Sequence, residues 1–129
     1  MSRENVEIVR DALARLNRSE SILDVLSPDI VWEVNAGPEQ GEFQGIEAVA
    51  AYYRRYLGAW VDFRVEVEET RDAGDKVFLA TRDRGRGKGS GVDVEMPVFQ
   101  VWTLNDGEVV RGAVFPTRAQ ALEAAGLSE

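Results

Sequence analysis

Apolar residues in the first sixty positions recur at the spacing of an α-helix in three separate segments. The first segment predicts a helix from about Arg3 to Leu16. The second predicts a short helix that Ser19 or Ser21 would cap and that stops before Pro28. The third predicts a helix from Ile46 to about Trp60. The first half of the chain is therefore expected to be mainly helical.

From residue 63 onward the apolar period changes to two, which is typical of β-strands. A shorter strand is predicted earlier, from Asp29 to Val34, followed by a Gly-rich loop over residues 35–45. Thr117 and Gln120 form a capping-box pattern at the start of a last helix. The later strand candidates are Phe63 to Thr70, Lys76 to Gly87, Val92 to Leu104 and Glu108 to Phe115. This order predicts one α+β domain, residues 1–129, with a mostly antiparallel, strongly curved sheet.

The hairpin between the second and third of these long strands can be aligned from its charges. A two-residue turn at positions 89–90 places Arg84 opposite Glu95 and Arg82 opposite Pro97. A second pair of opposite charges meets in the same register, which supports the alignment.

Composition narrows the chemistry that this domain can perform. The formal net charge of −8 disfavours nucleic acid and anionic membranes as partners. Without His and Cys, the chain lacks the commonest metal ligands, a His-assisted triad and a thiol nucleophile. We therefore expect no metal site and no cofactor. No apolar run reaches membrane-spanning length and no signal peptide is evident, so we expect a cytoplasmic protein.

Three segments carry the pattern of a known family: Leu26 to Glu33, Gly45 to Tyr53, and Val101 to Val110. Together they resemble the SnoaL-like branch of the nuclear-transport-factor-two-like superfamily, which includes polyketide cyclases and ketosteroid isomerase. The resemblance covers nearly the whole chain. It implies a cone-shaped sheet wrapped around the N-terminal helices, an internal pocket, and a homodimer through the convex face of the sheet.

The resemblance does not carry over the catalytic residues of ketosteroid isomerase. The position of its carboxylate base falls in Val34-Asn35-Ala36, its oxyanion-hole tyrosine falls at about Ala12, and its protonated aspartate falls at Phe99. Tyr53 matches a supporting tyrosine. We therefore expect a protein that binds a small, largely apolar organic molecule. The alternative is a cofactor-independent cyclase, isomerase, dehydratase or hydrolase that uses carboxylate acid–base chemistry.

If the family's inward-facing positions hold, one side of each strand faces the pocket, and Gly112 leaves space in the pocket floor. Arg82, Arg84, Asp93 and Glu95 would face the pocket too. The expected ligand-binding residues are Trp32, Val34, Asn35, Tyr56, Trp60, Phe78, Pro97, Phe99, Val101, Gly112 and Val114.

Glu95 is the candidate acid–base group, with Arg82 or Tyr53 to polarise an oxygen of the substrate. The competing interpretation of Glu95 and Arg82 is a structural ion pair across the strands. A third interpretation is a protein-interaction module in which Trp32, Tyr53 and Phe99 fill the pocket.

The residues that alternate with these pocket-facing residues along each strand would face outward. They predict an apolar outer surface large enough to need covering by a second copy. Its members would be Val98, Gln100, Trp102, Val109, Ala113 and Phe115.

Overall fold

The computed structural model describes residues 2–129 and contains one six-stranded mixed sheet with three α-helices. The elements are α1 (Ser2–Asn17), a 3₁₀ helix (Leu23–Val25), β1 (Leu26–Val34), β2 (Gly41–Gln44), α2 (Ile46–Gly58), β3 (Trp60–Ala73), β4 (Lys76–Gly87), β5 (Asp93–Asn105), β6 (Glu108–Phe115) and α3 (Arg118–Ala125). The strand order is β2-β1-β6-β5-β4-β3, and the β1–β6 pair alone is parallel. The sheet is curled but not closed, and the predicted α+β class is confirmed.

Four predictions for the first sixty residues differ from the structure. In place of a second α-helix there is one 3₁₀ turn, and β1 begins at Leu26 and runs through Pro28. Pro28 has no N–H to donate, and it lies where the pairing of β1 with β6 is interrupted. The predicted loop contains β2, which pairs with the end of β1. Helix α2 ends at Gly58, so Trp60 is the first residue of β3.

The inner face of the sheet packs against α1 and α2. Val9 and Leu13 of α1 and Val49 of α2 are buried against the sheet in one apolar cluster. From the sheet, the largest buried members of this cluster are Trp32 on β1 and Trp102 on β5, whose ring centroids lie 5.6 Å apart. This cluster is the main core.

A second, smaller apolar cluster lies on the outer face, beneath α3. Thr117 caps this helix as predicted, accepting a hydrogen bond of 3.2 Å from the N–H of Gln120. The helix buries Ala121, Leu122 and Ala125 against residues of β4 and β5. Those strand residues are Phe78, Ala80, Phe99 and Val101. The sequence analysis expected Phe78, Phe99 and Val101 on the inner face. The predicted parity is therefore wrong on β4 and β5.

The hairpin register is confirmed, because Arg84 pairs with Glu95 and Arg82 with Pro97. The turn is longer than predicted: Gly87 and Val92 close a loop over residues 88–91. Since the parity is reversed, the Arg82 and Glu95 side chains lie on the outer face, 30% and 48% exposed.

The predicted outer apolar surface is also wrong. Trp102 is 1% exposed and belongs to the main core, and Gln100 is buried on the same inner side. Val109 and Ala113 are buried as well. The surface that was expected to need a second copy is already covered within the chain. Among the helices of residues 2–129, none is long and apolar enough to cross a membrane.

Candidate functional site

A cavity of about 460 Å³ lies between α2, the inner faces of β4 and β5, and the loop that follows β1. Its wall is mainly apolar. Aromatic rings contribute much of it, from Trp32, Tyr52, Tyr53, Tyr56, Trp60 and Phe63. Val94, Met96 and Val98, the inward residues of the first half of β5, line another part. A cavity of this volume is within the range of small-molecule sites.

Helical spacing brings the tyrosines of α2 together. Tyr56 follows Tyr52 by four residues and Tyr53 by three, so its ring neighbours both on the helix surface, and all three line the cavity. The ring of Tyr56 packs against the ring of Trp60, with the ring centroids 6.0 Å apart. Tyr53 meets Trp32 edge to face at 5.4 Å. These contacts form a continuous aromatic wall from β1 to the start of β3.

One carboxylate lies in this wall. Asp83 of β4 is 5% exposed and accepts a hydrogen bond of 2.5 Å from the hydroxyl of Tyr56. Thr81 makes a longer contact with it, 3.5 Å. Burial raises the pKa of Asp83, and the hydrogen bonds from Tyr56 and Thr81 oppose that rise only in part. A buried carboxyl group with a raised pKa, in contact with a cavity, is a candidate proton donor or acceptor.

The sequence analysis missed Asp83 because it assigned the wrong face of β4 to the interior. The available signal was the register itself. Asp83 pairs with Met96, whose inward neighbours on β5 are the apolar Val94 and Val98. An acid between apolar residues of one face, while the arginines on either side face away, marks a buried polar group that needs an explanation.

Gln100 is the second polar group in the cavity wall. It is 7% exposed, and its Oε1 accepts a hydrogen bond of 2.8 Å from Nε1 of Trp102. Trp32 and Tyr53 line the same cavity. The buried Nε1 of Trp32 has no hydrogen-bond partner within residues 2–129, and burial raises the pKa of the Tyr53 hydroxyl.

The mouth of the cavity is bordered by the loop after β1. Glu39 of this loop binds Arg55 of α2 through two hydrogen bonds, 3.0 Å to Nε and 2.5 Å to Nη2. Hydrogen bonding from Arg55 lowers the pKa of Glu39. Both side chains line the cavity and are about half exposed. The ion pair therefore links the loop to the helix at the solvent edge of the site.

The structure divides the predicted ligand-binding residues into two groups. Those that line the cavity are Trp32, Tyr56, Trp60, Pro97 and Val114. Those that do not are Val34, Asn35, Phe78, Phe99, Val101 and Gly112. Val34 belongs to the main core. Asn35 donates hydrogen bonds to Glu33, at 2.8 Å, and to the carbonyl of Val114, which joins β1 to β6. Gly112 lies beneath the ring of Trp32.

The predicted group of Glu95, Arg82 and Tyr53 is not brought together. Arg82 binds Glu68 at 3.0 Å and Glu95 at 3.3 Å on the outer face, whereas Tyr53 lies on the inner side. The ion-pair interpretation describes this geometry. Within residues 2–129, no three His, Cys, Asp or Glu side chains are grouped so that they could hold a metal ion.

Comparison with known proteins identifies the family. Residues 7–112 match the model of the SnoaL-like domain. The chain belongs to the SnoaL-like family. A search of curated proteins finds no match.

Solved structures with this fold include a proposed SnoaL-like polyketide cyclase from Jannaschia sp. CCS1. It is 24% identical over 94% of this chain and 90% of that one, with a TM-score of 0.76. A protein with a ketosteroid isomerase-like fold from Catenulispora acidiphila DSM 44928, in complex with trimethylamine, is 18% identical over 95% and 94% of the two chains, with a TM-score of 0.73. TerC, co-crystallised with polyporic acid, is 18% identical over 95% and 98%, with a TM-score of 0.74. At these identities the likeness shows the shared fold.

Proposed function

We propose that this SnoaL-like protein binds a small, largely apolar organic molecule in the aromatic cavity. The observation that carries the proposal is a volume of about 460 Å³ walled mainly by apolar and aromatic side chains. Such a wall can bury the rings of a ligand, and its few polar groups can orient the ligand. The filled pocket of an interaction module would leave no such space. Two structural relatives were also solved with small organic molecules.

The cavity can be tested by filling it. Native mass spectrometry on gently purified protein reports any retained molecule, and fluorene serves as an apolar probe. Val98→Trp adds bulk to the cavity wall and should weaken fluorene binding at least about tenfold. Val92→Trp changes a residue that is 61% exposed and does not line the cavity, so fluorene binding should be unchanged. Equal affinities in the two variants would place the probe elsewhere.

The second candidate function is cofactor-independent acid–base catalysis in the same cavity, as in an isomerase, cyclase, lyase or hydrolase. It is favoured by Asp83, which is buried and receives its hydrogen bond from Tyr56 at the cavity wall. The ionised carboxylate would remove a proton next to a carbonyl, and the neutral acid would return it. The Tyr56 hydroxyl would hold the carboxylate in one orientation.

Proton exchange tests this candidate without knowledge of the natural substrate. In D₂O, the protein should accelerate exchange of the protons next to the carbonyl of 2-tetralone, followed by NMR. Asp83→Asn should reduce this acceleration at least about a hundredfold while 2-tetralone still binds. Glu95→Gln, on the outer face, is the matched carboxylate control and should exchange at the wild-type rate. Wild-type exchange no faster than that of Asp83→Asn would leave binding as the function.

We also propose a homodimer, formed through the outer face of β3, β4 and β5. Support comes from the alternating charges on this face, such as Glu66 on β3, Arg84 on β4 and Glu95 on β5, which offer both signs to a second copy related by a two-fold axis. Light scattering should report a dimer that Arg82→Glu combined with Arg84→Glu converts to a monomer. The cytoplasmic location remains a prediction that cell fractionation can test.

A further inference from the structure

We infer that Gln100 selects the ligand by donating a hydrogen bond to a carbonyl oxygen, so that the cavity takes apolar ring compounds that carry a ketone or similar carbonyl group. The inference rests on the proposed binding function of the cavity and names the chemical class of its ligand.

The orientation of the Gln100 amide is determined by its neighbour. Trp102 is 1% exposed, and an indole nitrogen can only donate a hydrogen bond. Its bond of 2.8 Å to Gln100 therefore assigns Oε1 to the side of Trp102. Nε2 is the end of the amide that remains for the cavity, which Gln100 lines. Nowhere in residues 2–129 does a protein group accept a hydrogen bond from Nε2.

Because Gln100 is only 7% exposed and lines the cavity, an acceptor for Nε2 has to come from a molecule in the cavity. A ligand oxygen would supply the missing acceptor. The surrounding wall holds a further donor, because Nε1 of Trp32 is buried and has no hydrogen-bond partner among the described residues. A carbonyl oxygen, which has two lone pairs and no proton, fits a wall rich in donors better than a hydroxyl group does.

The register also separates Gln100 from the carboxylate. Asp83 pairs with Met96, four residues before Gln100 on β5, which corresponds to about 13 Å along the strand. A ligand whose carbonyl is held at Gln100 extends its ring system towards Asp83 and Tyr56. The separation between Gln100 and Asp83 therefore suits a fused-ring molecule rather than a compact one.

The test compares 9-fluorenone with fluorene, which share a ring framework and differ in one carbonyl oxygen. Equilibrium dialysis of the full-length chain gives the ratio of the fluorene Kd to the fluorenone Kd. In Gln100→Met, which removes the donor at similar volume, this ratio should fall about fivefold relative to wild type. Gln44→Met makes the same substitution at an exposed position of β2 outside the cavity and should leave the ratio unchanged.

The two probes keep the outcomes apart. An unchanged ratio in Gln100→Met, with fluorene still bound, would overturn the role of Gln100 and leave the apolar cavity supported. No binding of either probe to the wild type would overturn the proposed function and this inference with it. If Gln100→Met binds neither probe, a double variant, Gln100→Leu with Trp102→Phe, removes both partners of the hydrogen bond at once. The ratio of the fluorene Kd to the fluorenone Kd should then fall in the double variant, and an unchanged ratio would overturn the role of Gln100.

Discussion

The ring of Trp32 lies against the backbone of Gly112. A Cβ atom added to Gly112 would stand 2.1 Å from Cζ3 of Trp32. Gly112 of β6 pairs with Trp32 on β1 and with Trp102 on β5, so the glycine lies between two tryptophans in one row of the sheet. We expected Gly112 to leave space for a ligand. The space exists, but the side chain of Trp32 occupies it and belongs to the core.

Gly112→Ala should therefore destabilise the protein by about 1–3 kcal/mol, because the buried Trp32 ring must move to make room. Gly58→Ala is the matched control, since a Cβ there meets nothing within 4 Å and should leave the stability nearly unchanged. Urea unfolding followed by tryptophan fluorescence measures both. Equal unfolding midpoints for the two variants would show that the contact with Trp32 is not tight.

The fold was predictable where a segment had a single apolar periodicity. The site was not predictable, because both faces of β4 are apolar at the start of the strand. Val77 and Leu79 point into the main core, while Phe78 and Ala80 point outward beneath α3. A continuous apolar run gives no sign of which side is inner. The inner face of β4 was therefore assigned from the resemblance to the family together with the alternation, and the assignment was wrong.

The charged residues further along β4 and β5 indicated more clearly which face of these strands is exposed to solvent. Charged side chains are seldom fully buried, so the face that carries Arg82, Arg84 and Glu95 was the better candidate for solvent. That choice would have placed Asp83 inside. β2 was missed for a different reason: of its four residues only Phe43 packs against the core, and so short an edge strand shows no alternation.

Tyr56→Phe should destabilise the protein by about 1–3 kcal/mol at neutral pH, because it leaves the buried Asp83 carboxylate with only the 3.5 Å contact to Thr81. Tyr53→Phe is the control on the same helix, since it removes a tyrosine hydroxyl that is not hydrogen-bonded to Asp83. Thermal unfolding measures both. A larger effect for Tyr53→Phe would mean that ring packing, not the hydrogen bond, dominates.

Glu95→Gln should shift the unfolding midpoint by at most a few degrees and leave probe binding unchanged. The carboxylate is 48% exposed, and ion pairs on a solvated surface contribute little. The shift should shrink further at high salt, because ions screen the contacts with Arg82 and Arg84. A loss of probe binding in Glu95→Gln would contradict the placement of this residue outside the cavity.

Asp83→Asn should stabilise the protein relative to wild type, and the gain should grow as the pH rises. Burial raises the pKa of Asp83 in the folded state, so between the unfolded and folded pKa values the folded protein binds more protons than the unfolded chain. The stability that this group contributes is complete below the unfolded pKa and is lost as the pH rises through the folded pKa. An amide at this position carries no charge to desolvate and still accepts from Tyr56.

Urea unfolding at several values between about pH 4 and pH 8 measures this difference, since the ordinary pKa of an aspartate lies near the lower limit. Asp29→Asn, at an exposed position of β1, is the matched control, because it removes a carboxylate without changing a buried group. A constant difference between Asp83→Asn and wild type across the range would mean that the Asp83 carboxyl group is solvated in the folded state. In that case Asp83 would also lose the property that makes it a candidate acid–base group, because a solvated aspartate at neutral pH is too weak a base to remove a carbon-bound proton efficiently.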